Sequence, residues 1–62
     1  MRTLKVIRVE SGLTIVEASK KLGITPNTLS RYERGETFPN VKMLKKIEEL
    51  YKVPSADIFF NV

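Results

Sequence analysis

Asn27, Ser30, Arg31 and Arg34 carry the side chains of this sequence best suited to chemistry with a partner. On a helix, at about 100° per residue, they fall around one side while Leu29 and Tyr32 define the other. The outer side is wholly polar and holds two guanidinium groups and one carboxamide. Such groups form paired hydrogen bonds to guanine and adenine edges in a major groove, which is wide enough to admit a helix. Each also has a plainer reading. Asn27 can be a tolerated surface residue near a helix start, and Arg31 a surface cation paired with a neighbouring carboxylate at little net energy.

Catalysis has little to work with. The chain has no His and no Cys, so no Ser-His or Cys-His nucleophile can be assembled and no thiolate metal site or disulfide can brace the fold. Glu33, Glu36, Glu48, Glu49 and Asp57 form no acid-base or metal-ligating pattern. An enzyme is not expected, and neither is a cofactor, a metal or a small-molecule site. With 62 residues there is room for one small domain, 1–62, and one modest core. Eleven Lys and Arg against seven Asp and Glu give a net charge of +4, which suits a polyanionic partner. No apolar run has the length of a membrane span and the first residues lack a signal-peptide h-region, so the expected home is the cytoplasm, at the nucleoid.

The elements that must position the polar face are helical almost throughout. Leu4, Val6, Ile7 and Val9 give a first helix ending near Ser11-Gly12. Thr14 and Glu17 make a capping box for a second, whose buried stripe is Ile15, Ala18 and Leu22, up to Gly23. Thr25 as N-cap and Pro26 in the first turn open a third, closed by Gly35. A loop over 36–39 leads to Asn40, the cap of a fourth helix bearing Val41, Leu44, Ile47, Leu50 and Tyr51, which Lys52-Val53-Pro54 ends. A last short helix is expected over Ser55–Phe60. Ala18 and Ser19 are small enough for helices two and three to approach closely, Gly23 permits a tight turn between them, and Ile24, Leu29 and Tyr32 anchor the third helix from within.

This ordered set resembles the phage-repressor-like Cro/XRE helix-turn-helix family. The resemblance is carried by Leu4 and Arg8, Gly12-Leu13-Thr14, Glu17, Leu22-Gly23, Thr25, the run Leu29-Ser30-Arg31-Tyr32-Glu33-Arg34-Gly35, Pro39-Asn40 with Leu44 and Ile47, and Asp57-Ile58-Phe59. It covers nearly the whole chain. It implies an all-α, compact five-helix lambda-repressor-like domain that binds operator DNA as a dimer, with Arg8 paired to Glu33 inside the domain. The same resemblance implies phosphate contacts from Thr25, Ser30 and Arg34. Two positions depart from the family pattern: Ile15 stands where a phosphate-binding Gln is common, and Pro26 stands where a Gln or Ser opens the third helix. Pro26 offers no N–H, so base reading is expected to fall on Asn27, Thr28 and Arg31.

Tyr32 and Phe38 lie beside basic residues, yet core packing and loop anchoring are the expected roles rather than stacking on unpaired bases. At the C-terminus Ile58, Phe59, Phe60 and Val62 crowd apolar groups together. They either complete the monomer core or form a two-fold interface, and the interface is the expectation because a dimer doubles the contacts on a palindrome. The overall expectation is a transcriptional regulator that represses by occupying double-stranded operator DNA as a homodimer. The main alternative is a protein-interaction module of the same fold, such as an antitoxin or anti-repressor partner. RNA binding is a further alternative, disfavoured by a rigid helix suited to a B-form groove.

Overall fold

The computed structural model describes residues 2–60. The element order is β1 (Arg2–Thr3), α1 (Leu4–Glu10), α2 (Ile15–Leu22), α3 (Pro26–Arg34), α4 (Val41–Tyr51), a 3₁₀ turn at Ser55–Asp57, and β2 (Ile58–Phe59). Each α-helix starts where a side chain satisfies an amide that the helix itself leaves unpaired. Thr3 caps α1 by accepting from Val6 N at 3.2 Å, Thr25 caps α3 by accepting from Thr28 N at 3.2 Å, and Asn40 caps α4 by accepting from Met43 N at 2.8 Å. At α2 the box is reciprocal: Glu17 N donates to Thr14 Oγ1 at 3.1 Å and Thr14 N donates to Glu17 Oε1 at 3.0 Å.

The helix ends are as local as the starts. Gly23 takes φ 75° and Gly35 φ 77°, and the residue after each folds back, with Ile24 N donating to Ser19 O at 3.0 Å and Glu36 N to Arg31 O at 3.0 Å. These are Schellman closures, which need a left-handed residue that glycine supplies without a Cβ clash. α4 ends differently, on Lys52 at φ 57°, the only non-glycine with positive φ among the described residues.

One core joins every helix. Leu4 and Ile7 of α1, Ala18 and Leu22 of α2, Leu29 of α3, and Ile47 and Tyr51 of α4 are buried together with Ile58 of β2. The fold is mostly helical, with four α-helices among the described residues. The fifth helix expected over Ser55–Phe60 does not form. Its first residues make one 3₁₀ turn, held by Asp57 N on Pro54 O at 2.9 Å and by Ser55 N on Glu48 Oε2 at 2.6 Å. Ile58 and Phe59 then run extended and pair in parallel with Arg2 and Thr3. Adjacent residues of a strand face opposite ways, so Ile58 enters the core at 5% exposure while Phe59 is left 47% exposed. A helix would hold both side chains on neighbouring bearings and leave the backbone of residues 2–3 without this partner.

Candidate nucleic-acid interface

α3 owes its placement to α2. Ala18 and Ser19 are essentially fully buried, and the Ser19 hydroxyl turns back onto Val16 O at 3.0 Å, so the buried side of α2 carries two small side chains that allow a close helix approach. Leu29, at 0% exposure, plugs α3 into the core, and Tyr32 packs partly buried beside it. With Leu29 inward, Asn27 and Arg31 are exposed one turn apart and Arg34 is exposed at the helix end. Ser30 and Thr28 are half-buried on the flanks. The Thr28 hydroxyl lies 2.8 Å from that of Thr25, so these two side chains satisfy each other at the helix start and leave the Thr28 methyl as its free group.

The two arginines of the outer face are not alone. Glu36 sits between them, with Arg34 Nε donating to Glu36 Oε2 at 2.5 Å and Arg31 Nε 3.8 Å from Glu36 Oε1. The Arg34 hydrogen bond and charge, with Arg31 adding to them, hold the Glu36 carboxyl below the usual carboxylate range, and the Arg34 guanidinium is correspondingly raised. Sequence reasoning placed Glu36 in a loop and gave it no partner. The signal was present in Arg34-Gly35-Glu36, because a Schellman closure at Gly35 returns the next residue over the last helical turn.

Behind the outer face, Arg8 of α1 reaches Glu33 of α3. Arg8 Nε donates to Glu33 Oε2 at 2.8 Å and a second guanidinium nitrogen approaches Oε1 at 3.4 Å. Arg8 Nη1 donates to the Leu13 carbonyl at 2.8 Å. Both side chains are almost wholly buried, 10% and 7% exposed. The Tyr51 hydroxyl lies buried near them with no hydrogen-bond partner among the described residues. Burial foremost, and then the Glu33 charge, push it up to about 12, against a smaller opposing effect of Arg8. Beside the ion pair an open cleft of about 240 Å³ is lined by Lys5, Arg8, Ile15, Ser30, Glu33 and Arg34. Ile15, where a polar residue would serve a phosphate, gives that cleft an apolar wall.

The C-terminal residues separate. Ile58 belongs to the monomer core and is not free to meet a second chain. Phe59 is exposed. Phe60 stands edge-on to Phe38, ring centres 6.4 Å apart at 73°, which anchors the loop carrying Phe38. Val62 lies outside the described residues. Among those described, no group of acidic residues is gathered as a metal would need, and no helix is long and apolar enough to cross a membrane.

The chain is similar to known regulators over most of its length. A helix-turn-helix family model matches residues 4–58. The HTH-type transcriptional regulator ImmR of Bacillus subtilis is 42% identical over 84% of this chain and 41% of its own length. The cryptic phage CTXphi transcriptional repressor RstR of Vibrio cholerae is 31% identical over 89% of this chain and 50% of its own. An uncharacterized HTH-type transcriptional regulator of Methanocaldococcus jannaschii is 36% identical over 90% of this chain and 85% of its own. The chain thus spans half or less of ImmR and RstR. No solved structure is significantly similar to it. On the match across residues 4–58 and the resemblance to phage-type repressors, the chain belongs to the Cro/XRE-type helix-turn-helix family.

Proposed function

We propose that this chain is a sequence-specific double-stranded DNA-binding transcription regulator that acts as a repressor, binding a palindromic operator as a homodimer. The observation that carries this reading is the outer face of α3: Asn27 and Arg31 exposed one turn apart on a helix fixed from behind by the fully buried Leu29. A rigid helix with an amide and a guanidinium at that spacing fits a major groove, Arg31 to a guanine edge and Asn27 to an adjacent adenine. Thr28, with its hydroxyl engaged by Thr25, is suited to touch a thymine methyl. Thr25, Ser30 and Arg34 border this face and would meet phosphates, which set the register without reading sequence. Arg8 and Glu33 serve as a strut from α1 to α3 rather than as contacts. A net charge of +4 favours the approach to a polyanion.

The names of the relatives, regulators and one phage repressor, support regulation by this means. For the dimer, the exposed Phe59 is the contact supported by geometry, since Ile58 is spent on the core. Selection of bound duplexes from a random pool, followed by titration of the winner at several salt concentrations, tests the reading. A recovered palindrome bound with steep salt dependence and well above random duplex supports it. No enrichment, with protein capture through the Phe59 surface instead, would favour an interaction module.

A further inference from the structure

Among the described residues, Glu36 is the one carboxylate that engages the outer face of α3. It holds Arg34 at 2.5 Å and lies 3.8 Å from Arg31, and all three side chains are about half exposed. Its backbone is pinned there by the Glu36 N to Arg31 O bond at 3.0 Å, so the carboxylate is delivered by the helix closure and not by chance of a long side chain. A carboxylate and a phosphate present the same kind of oxygens to a guanidinium fork.

Resting on the DNA-binding reading, we propose that Glu36 is an intramolecular competitor for DNA phosphate. It occupies Arg34, and partly Arg31, in the free protein and must give them up when a duplex docks. Binding through phosphates alone then becomes an exchange of one anion for another, with a displaced carboxylate left beside the DNA. That carboxylate takes up a cation and offsets part of the counterion release that drives non-specific association. Glu36 therefore lowers affinity for arbitrary duplex and flattens its salt dependence, shortening residence on wrong sites.

The test is Glu36→Gln, which keeps shape and the backbone closure, set beside Glu49→Gln. Glu49 is an exposed residue of α4, and its variant changes the net charge equally. Fluorescence anisotropy is read on a random-sequence duplex and on the selected operator at several salt concentrations. Glu36→Gln is expected to tighten random duplex by about three- to tenfold and to steepen the log–log salt slope by about one. Glu49→Gln is expected to do markedly less. Combined with Arg34→Ala, the Glu36→Gln gain is expected to fall to the level of Glu49→Gln. If the parent binds duplex but Glu36→Gln matches Glu49→Gln in affinity and slope, or keeps its full gain without Arg34, the competitor role is overturned and the DNA-binding reading stands. A parent that binds no duplex at any salt overturns the reading itself.

Discussion

Arg8 donates to Glu33 through two guanidinium nitrogens, at 2.8 and 3.4 Å, and this pair joins α1 to the last turn of α3 with almost no exposure to water. The third guanidinium direction is taken by the Leu13 carbonyl, which ties in the connection between α1 and α2. α1, the connection from α1 to α2, and α3 thus meet at one side chain, on the inner side of α3 and away from Asn27 and Arg31.

Cutting one partner from such a pair strands a buried charge. Arg8→Ala is expected to lower unfolding free energy by on the order of 3 kcal/mol, enough to be severe in a domain this small. At temperatures where the variant is folded, its ranking of operator variants should match the parent. Urea titration and competitive binding check the two halves; an unaltered midpoint contradicts the strut.

Tyr51 buries a hydroxyl without a partner. Tyr51→Phe removes a desolvated polar group and is expected to be neutral or stabilising, by up to about 1 kcal/mol. The alkaline limb distinguishes the two proteins. Because the folded phenol titrates near 12 and an unfolded one near about 10, its contribution is fully present below pH about 10 and is lost as pH rises toward 12. Stability of the parent should therefore fall more steeply than that of Tyr51→Phe across that window, measured by urea melts in matched buffers.

Lys52 closes α4 in the left-handed region at φ 57°, where a Cβ is costly. Lys52→Gly is expected to raise stability by about 0.5–1 kcal/mol, the relief of strain being reduced by the greater freedom of glycine when unfolded. A thermal melt that moves down instead would show the lysine side chain to be holding something there.

Much of this architecture is legible in the sequence because capping chemistry is local. Thr14 with Glu17, Thr25 with Pro26, Asn40, Gly23 and Gly35 mark their helix ends within a residue or so, and the stripe through Leu29 and Tyr32 orients α3. The last segment is not legible. Two-residue strands fall below any periodicity, and the pairing of Arg2 with Ile58 is a long-range event that no local window contains. The same gap led Ile58 to be grouped with an interface when it fills the core. Glu36 was missed for a subtler reason, since its partners lie two and five residues back and meet it only through the turn at Gly35.

Phe59 is the exposed aromatic of the C-terminal pair, so Phe59→Ser should leave stability nearly unchanged while shifting the protein toward monomer. Palindrome binding should weaken more than half-site binding. Sedimentation velocity decides: a parent that is monomeric even on DNA, or a variant with the parent's profile, contradicts the two-fold contact through this residue.

The central claim is that α3 reads bases, and Arg31→Ala measured beside Arg34→Ala tests it most directly. Both are titrated against the selected operator and its single-base variants over a range of salt. Arg31→Ala is expected to lose about 1–3 kcal/mol of discrimination at one position per half-site, while Arg34→Ala weakens all duplexes alike and, once Glu36→Gln has removed the competing carboxylate, lowers the salt slope by about one. If Arg31→Ala leaves every variant ranked and spaced as in the parent, α3 does not read sequence in the way its outer face implies.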